Sequence, residues 1–385
     1  MQSWQLPENI ADILPSAARQ IESAREQLLA LFRVHGYELV SPPLLEYSTS
    51  LLTRIDEGLS LKTIRIVDQL SGRQLGLRAD ITPQVARIDA HLLSANSGVN
   101  RLCYAGSVLH ARPDGFLNTR EPLQIGAELY GYAGIEADIE LIDLMLKSLA
   151  KFDIPELTLS LGHIGIFNEL ADAADLDPNQ AATLLQLMQN KDREAVEQCV
   201  QQWQVKPKWG TALTILPTLY GTREILQTAF QQLPDLPAVK VALQQLQQIC
   251  SAFNDQDIFI DLSELRVDTY HTGLLFAVYS NEWPDALARG GRYDGLGKYF
   301  GRNRPASGFS FDLRDLIKHL IPIDEPQSIK VSIKDAAAAK QKIEQLRLSG
   351  ECVIIDYAPQ STDIKKCNRQ LVWLDQQWQI IPLTQ

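Results

Sequence analysis

The sequence lacks the features that mark secreted, membrane-spanning and metal-binding proteins. Its five cysteines form no Cys-x-x-Cys pair, and their odd number favours reduced thiols in a cytoplasmic protein. No apolar run is long enough to span a membrane, and no basic segment followed by an apolar run opens the chain as in a signal peptide. The six histidines are scattered without the spacing of metal ligands, so we expect no metal site.

The chain also lacks a surplus of positive charge. Its net charge is −11, and the sequence shows neither a basic stripe nor a block of like charges. Proteins dedicated to nucleic acid usually carry such a stripe, so the composition argues against a tRNA-binding surface. The chain is rich in apolar residues: 45% of its 385 residues are hydrophobic, enough for two or three domains with sizeable cores.

The order of predicted elements divides the chain into three parts. Strand-like alternation covers most of residues 64–132 and returns after residue 257. Between these stretches, residues 171–253 are rich in Ala, Gln and Leu at helical spacing, which predicts an inserted helical module. Residues 321–385 alternate strand and helix as a separate small α/β domain. We therefore predict an α+β fold whose main domain, 1–320, has an antiparallel sheet flanked by helices.

Two adjacent prolines, Pro42 and Pro43, interrupt an extended stretch at residues 37–47. Proline cannot donate a hydrogen bond to a sheet, so within sheets it is confined to edge strands, strand starts and bulges. We therefore expect this stretch to be an edge or interface element.

One predicted strand carries a candidate ligand site. Gln124, Gly126 and Glu128 alternate along it and therefore share a face. A glycine between two polar side chains leaves a hollow flanked by an amide and a carboxylate, which suits a small cationic or hydrogen-bonding ligand. The alternative interpretation is the solvated face of a half-buried sheet.

A second candidate pair is Asp80 and Thr82. If the chain is extended here, both side chains lie on one face, where a carboxylate and a hydroxyl could accept hydrogen bonds from an ammonium group. The alternative is that Thr82 caps a helix predicted over 82–94, because Pro83 directly follows it.

A third candidate is Arg266, which shares strand parity with Tyr270. The planar fork of an arginine matches a carboxylate ligand, although an ion pair with a neighbouring acid would explain it equally well. The glycine-rich segment 290–296 is a weak signal by itself, because such turns are common.

Taken together, these segments resemble class II aminoacyl-tRNA synthetases, and histidyl-tRNA synthetase most closely. The resemblance covers roughly residues 1–320 and keeps the order of the motifs. Residues 37–47 resemble motif 1, whose proline lies at a dimer interface, and residues 306–316 resemble motif 3. Four further segments resemble those that form the histidine pocket, namely 77–82, 124–128, 266–271 and 290–296.

The resemblance implies a role for each candidate residue. Glu128 and Gln124 would contact the polar ends of a bound histidine. Asp80 and Thr82 would contact its α-amino group, and Arg266 would hold its carboxylate. L-Histidine is therefore the implied ligand, and no cofactor is implied.

The aromatic part of the implied pocket departs slightly from the family. Tyr270 and Tyr293 would line the ring of the ligand, as in the synthetases. His271 stands where the family usually has a second tyrosine. The resemblance therefore implies a histidine pocket in which one aromatic residue differs from the family.

Three further residues differ from the synthetase family in the motifs that bind ATP. His110 stands where motif 2 has an arginine, and Arg112 stands where a glutamate follows two positions on. Asp315 replaces the motif 3 arginine that clamps the ATP phosphates. A charge-assisted hydrogen bond contributes about 1.5–3 kcal/mol, so losing two arginines would cost about 3–6 kcal/mol of ATP binding. Because amino-acid activation needs those phosphates held and neutralised, we predict no adenylate formation.

Residues 321–385 are too few for the family's full anticodon-binding domain, so tRNA is not expected as a partner. A synthetase-like chain without ATP clamps, but with an amino-acid pocket, resembles the regulatory subunits of short-form ATP phosphoribosyltransferase. Those proteins lack aminoacylation activity and assemble with the short catalytic subunit into a hetero-octamer. They transmit feedback inhibition by histidine in the first step of histidine biosynthesis.

The resemblance therefore implies a non-catalytic chain that activates such a catalytic subunit and pairs with itself through residues 37–47. Two alternatives stay open at this point. One is an active ligase that charges histidine to tRNA or another acceptor. The other is a scaffold that activates a partner without sensing a ligand.

Overall fold

The computed structural model describes residues 4–51, 57–113, 115, 118–264, 270–318, 320, 327–357 and 367–383. The chain divides into two compact units, one of residues 1–13 and 21–320 and one of residues 14–20 and 321–385. None of the helices in these described ranges is both long and apolar enough to cross a membrane.

The strands of the larger unit build two sheets. In chain order they are β1 (Glu38–Leu39), β2 (Leu45–Tyr47), β3 (Ile64–Val67), β4 (Gln74–Leu77), β5 (Asn100–Ser107), β6 (Leu123–Tyr130), β7 (Leu157–His163), β8 (Tyr220–Gly221), β9 (Asp257–Asp261), β10 (Leu274–Ser280), β11 (Ala288–Arg292) and β12 (Ala306–Asp312). The main sheet has the order β1-β5-β6-β12-β11-β10-β7-β9-β8, and a small sheet has the order β2-β4-β3.

The main sheet is mixed. Its central strands, from β5 to β7 in the sheet order, pair antiparallel, as predicted. The prediction of an antiparallel sheet is wrong at two pairs, because β1 runs parallel to β5 and β9 runs parallel to β7. A parallel pair needs a long crossover connection, and the chain between β7 and β9 supplies one in its helical segment.

The helices up to residue 320 are α1 (Pro15–Val34), α2 (Ser48–Leu51), α3 (Glu57–Lys62), α4 (Thr82–Arg87), α5 (Ile135–Leu149), α6 (Ile164–Ala173), α7 (Pro178–Gln189), α8 (Arg193–Gln202), α9 (Pro207–Ile215), α10 (Ile225–Gln232), α11 (Pro237–Ala252) and α12 (Leu313–Ile317). The segment 171–253, predicted to be helical, holds α7 to α11 and the short strand β8. Three of its five prolines begin α-helices: Pro178, Pro207 and Pro237 are first residues, where proline needs no amide partner.

Helix α5 covers one face of the main sheet. Its apolar side, including Leu141, Ile142, Leu144 and Met145, is fully buried. The helix contacts β6, β10, β11 and β12. The opposite face of these central strands is thereby left to the cleft described below.

The stretch 37–47 lies at an edge of the main sheet, as its prolines predict. Strand β1 is the first strand in the sheet order. Pro42 and Pro43 fall between β1 and β2, outside either strand. The carbonyl of Pro42 accepts a hydrogen bond of 2.7 Å from the buried guanidinium of Arg78.

The smaller unit has its own sheet and core. Its strands are β13 (Ser328–Ser332), β14 (Cys352–Asp356), β15 (Cys367–Leu374) and β16 (Gln377–Pro382), in the order β14-β13-β15-β16. Helices α13 (Ile333–Ala336) and α14 (Lys340–Leu348) follow β13. The buried residues are Ile329, Val331, Ala339, Ile343, Val353 and Leu371.

A buried ion pair joins helix α5 to the main sheet. Arg292 on β11 donates to Asp138 at 2.6 Å, and Ser307 on β12 donates to the other carboxylate oxygen at 2.7 Å. Both charged side chains are almost inaccessible to water. Arg292 also contacts the more exposed Asp294 at 3.3 Å, but losing its buried partner Asp138 is far more costly than losing an exposed pair.

Replacing Asp138 by alanine should therefore lower the free energy of unfolding by about 3–5 kcal/mol. The matched control is Asp285→Ala, which removes the partner of Arg289, an exposed residue of the same strand; it should cost less than about 1 kcal/mol. Urea unfolding of both variants measures the difference. Equal losses would show that the buried pair does not hold α5 to the sheet.

Candidate functional site

A deep cleft opens on the face of the main sheet that α5 leaves free. Its volume is about 1140 Å³. Most of the residues predicted for the ligand site line it: Asp80, Thr82, Gln124, Glu128, Tyr270, His271 and Tyr293. Arg266 lies outside the described residues, so its predicted contact with a carboxylate stays a prediction.

The floor of the cleft is a buried carboxyl group. Glu128 on β6 is 1% exposed. Its Oε1 accepts hydrogen bonds of 3.0 Å from the hydroxyls of Thr82 and Tyr104, and its Oε2 accepts one from Tyr293. The hydroxyl oxygen of Tyr130 lies 3.3 Å from that of Tyr293, which can accept a hydrogen bond from it. Three hydroxyl donors therefore fix both oxygens of one acid at the bottom of an open cleft.

Burial dominates the electrostatics of this acid. Loss of water raises the pKa of Glu128 to about 8, although the hydroxyls of Tyr293 and Thr82 favour the charged form. Burial therefore shifts the ionisation of Glu128 into the range around neutral pH. A cationic or N–H-donating ligand placed against it would favour ionisation and release a proton.

Two glycines shape the surroundings of Glu128. A methyl group at Gly308 on β12 would overlap the Glu128 carboxylate, so only glycine leaves room for it. The space over Gly126 is taken by Tyr104, whose hydroxyl would lie 2.7 Å from a methyl group there. The hollow predicted beside Gly126 is therefore filled by an aromatic ring of the protein. The opening for a ligand lies above Glu128 and Asp80 instead.

Gln124 holds the backbone of the Asp80 segment. Its carbonyl oxygen accepts from the Ile81 amide at 2.9 Å, and its amide nitrogen donates to Asp80 at 2.8 Å and Ser310 at 3.1 Å. Both ends of the side chain are thus engaged within the protein. Gln124 lies in the cleft as predicted, where it positions Asp80.

Asp80 and Thr82 are close together, but their side chains form hydrogen bonds with different partners. The Asp80 carboxylate accepts from the Thr82 amide at 3.1 Å and from the Tyr270 hydroxyl at 3.2 Å. The Thr82 hydroxyl is directed to Glu128. Helix α4 is capped by Ile81 without a side-chain hydrogen bond, so the interpretation of Thr82 as a helix cap is wrong.

Three rings form one wall of the cleft. Tyr270 and His271 stack with centroids 4.8 Å apart. Tyr293 stands edge-on to Tyr270 at 5.7 Å and to His271 at 6.2 Å. This arrangement leaves ring faces and edges against which a planar ligand can pack.

Three positions were expected to have lost their contacts with ATP, namely His110, Arg112 and Asp315. His110 and Asp315 line the cleft, and the exposed Arg112 is absent from its lining. His110 is buried, and its Nε2 lies 3.0 Å from the carbonyl oxygen of Ala79. Asp315 pairs with Lys318 at 3.0 Å. Neither cleft position offers a guanidinium group to a phosphate.

Tyr104, Tyr130 and Ser310 complete the site and were not predicted from the sequence. Tyr104 lies directly across from Gly126 in the β5–β6 register, and Ser310 faces Gly126 from β12. A tyrosine paired with a glycine across two strands indicates that the ring lies close to the neighbouring backbone. This signal can be used only when the strand register is known.

The fold defines the class of protein. The structure matches an ATP phosphoribosyltransferase regulatory subunit/histidyl-tRNA synthetase from Bacillus halodurans with a TM-score of 0.85 and 24% identity, over 96% of this chain and 98% of the other. It matches histidyl-tRNA synthetase from Nostoc sp. PCC 7120 with a TM-score of 0.78 and 16% identity, over 96% and 91%. These likenesses establish a fold of the histidyl-tRNA synthetase type, as predicted.

Sequence comparison identifies the family among proteins with this fold. Residues 9–316 match the model of histidyl-tRNA synthetase, and residues 326–381 match the ATP phosphoribosyltransferase subunit HisZ C-terminal domain. The ATP phosphoribosyltransferase regulatory subunit of Neisseria meningitidis serogroup C is 63% identical over 99% of this chain and 100% of its own length. That of Chromobacterium violaceum is 53% identical over 99% and 100%. The chain belongs to the family of ATP phosphoribosyltransferase regulatory subunits.

Replacing Gly308 by alanine should displace the Glu128 carboxyl group and lower the free energy of unfolding by about 1–3 kcal/mol, as overpacking of a core does. Gly295→Ala is the matched control, because the nearest atom to an added methyl group there is 3.9 Å away. Urea unfolding compares the two. A Gly308→Ala variant as stable as the control would mean that Glu128 is not held at β12.

The raised pKa of Glu128 makes stability depend on pH. The folded chain keeps this proton up to about pH 8, whereas an unfolded glutamate loses it near pH 4.3. The proton therefore stabilises the fold fully below about pH 4, and the contribution is lost as pH rises to about 8.

Against Glu128→Gln, which cannot ionise, the wild-type chain should lose up to about 1.4 kcal/mol of unfolding free energy per pH unit across this window. Urea unfolding at pH 5, 6, 7 and 8 measures the difference. A difference that stays constant over this series would contradict the burial of an ionisable Glu128.

Proposed function

We propose that this chain is the non-catalytic regulatory subunit of a short-form ATP phosphoribosyltransferase and that the Glu128 cleft binds L-histidine as its feedback inhibitor. The chain would activate the catalytic subunit in the cytoplasm and reduce that activation when histidine is bound. The observation that carries the proposal is the buried carboxyl group of Glu128, fixed by three hydroxyls beneath an open cleft.

Described residues of the cleft offer a hydrogen-bond acceptor to two polar ends of histidine, the imidazole and the α-ammonium group. Glu128 can accept a hydrogen bond from an imidazole N–H, and Asp80 can accept from the α-ammonium group. The rings of Tyr270, His271 and Tyr293 provide aromatic surface for the imidazole. By the family resemblance, Arg266 would hold the carboxylate.

The same cleft is poorly suited to ATP. Its described lining is rich in acids, namely Asp80, Glu128, Asp285, Asp312 and Asp315, whereas its cations are Lys62 and Arg289. Arg289 and Asp285 pair with each other, and the raised pKa of Glu128 weakens its charge, which leaves Asp80, Asp312 and Asp315 against Lys62. A triphosphate would meet net repulsion rather than the cationic clamps that phosphoryl chemistry needs. The absence of amino-acid activation is therefore part of the proposal, and no cofactor is needed.

The assembly is also part of the proposal. The relatives' name, regulatory subunit, implies a catalytic partner, and we infer a hetero-octamer with the short catalytic chain. Within it, two copies of this chain would pair through residues 37–47, where Leu39, Leu44 and Leu45 are exposed at the sheet edge. Exposed apolar side chains beside such an edge favour a protein partner. No tRNA is expected to bind.

Reconstitution with the short catalytic subunit tests the function. The chain should raise the rate of phosphoribosyl-ATP formation, and histidine should suppress that rate. Glu128→Gln should raise the histidine concentration for half-inhibition by at least about tenfold, because a hydrogen bond to a charged group contributes about 1.5–3 kcal/mol.

The exposed Glu136→Gln is the matched control and should leave inhibition unchanged. If Glu128→Gln is inhibited like the wild type, histidine binds elsewhere and the cleft is not the sensor. If the wild-type chain activates without any response to histidine, it acts as a scaffold only.

A further inference from the structure

The helical segment 171–253 reaches the cleft at a single described residue. Gln189, the last residue of α7, lies in the cleft lining, while every other described lining residue comes from the sheet, its loops or the adjacent short helices. Gln189 therefore places a residue of the helical segment in the lining of the ligand site.

Two residues further on, Lys191 anchors the end of α7. Its ammonium group donates to the carboxylate of Asp261 and, at 2.6 Å, to the hydroxyl of Ser263. Both partners are buried, and both lie where β9 ends. Asp261 also accepts from the Ser263 amide at 2.9 Å. A buried carboxylate needs a compensating cation, and Lys191 provides it from the helical segment.

Lys191 lies in the tight turn that ends α7. Its φ is 56°, in the left-handed region where helices usually end on glycine. The tight turn is closed by hydrogen bonds from the Lys191 amide to Met188 and from the Asp192 amide to Leu187, both 3.0 Å. This turn fixes Lys191 two residues after Gln189, and the bond of its ammonium group to Asp261 joins the turn to the end of β9.

We propose that the helical segment is part of the ligand site. Gln189 is a specificity-determining residue of the cleft wall, and Lys191 is the positioning residue that fixes Gln189 relative to the sheet. The helical segment thereby sets the affinity of the Glu128 cleft for histidine. This inference rests on the proposed function, because it assumes that the cleft binds histidine.

Calorimetric titration of the full chain with histidine tests the proposal. Lys191→Met removes the anchor, and Gln189→Leu removes the amide while keeping similar volume. Each should weaken histidine binding by about fivefold or more, within the range found for residues that modulate a site through packing. Lys206→Met is the matched control in the same helical segment, since Lys206 makes only an exposed 3.7 Å pair with Asp175; it should bind like the wild type.

Lys191→Met leaves Asp261 uncompensated, and the variant could fold poorly. Lys191→Met combined with Asp261→Asn removes both charges, and circular dichroism checks that this double variant is folded. It should recover stability without recovering histidine affinity. If its affinity returns to the wild-type value, Lys191 only neutralises Asp261 and the proposal is overturned.

The remaining outcomes separate the two proposals. Wild-type affinity in both Lys191→Met and Gln189→Leu would overturn the role of the helical segment and leave the histidine cleft intact. A wild-type chain that binds no histidine would overturn the proposed function, and this inference with it.

Discussion

The site depends on the burial of one carboxyl group in the middle of a sheet. Glu128 stands on β6 between β5 and β12, and each neighbouring strand makes room for it or binds it. Gly308 on β12 leaves the volume that the carboxyl group fills, and Tyr104 on β5 donates to it. An unpaired buried acid would destabilise the fold. The hydroxyls of Tyr104, Thr82 and Tyr293 reduce that cost and leave an acceptor at the bottom of a cleft.

The rest of the cleft differs from the synthetases at two of the motif positions named above. The position of the motif 2 arginine is now His110, whose ring contacts the carbonyl of Ala79. Asp315 takes the place of the motif 3 arginine and pairs with Lys318. Both replacements remove positive charge from the region where phosphates would lie. The amino-acid end, built on Glu128 and Asp80, does not depend on those residues.

Much of the fold follows from sequence pattern. The strand alternation, the proline-punctuated helical segment and the small C-terminal unit were predictable because their periodicities are local. The parallel pairs at β1–β5 and β7–β9 were not, since the direction of pairing depends on connections far along the chain. The family resemblance located Glu128, Asp80 and Tyr293 through their motifs.

Contacts across strands set the limit of sequence-based prediction. Tyr104 carries no motif of its own, and its role appears only when the register places it opposite Gly126. Gln124 lies in the cleft lining as expected, but its hydrogen bonds to Ile81 and Asp80 could not be predicted from the sequence. Lys191 acts through Asp261, 70 positions along the chain. Such pairings depend on the tertiary structure and leave no short-range signal.

The central claim is that this cleft retains an amino-acid site and has lost the ATP site. Calorimetric titration of the purified chain with histidine, followed by ATP in the presence of saturating histidine, tests it most directly. We expect saturable histidine binding and no heat from ATP. Binding of ATP after histidine, accompanied by release of pyrophosphate, would contradict it.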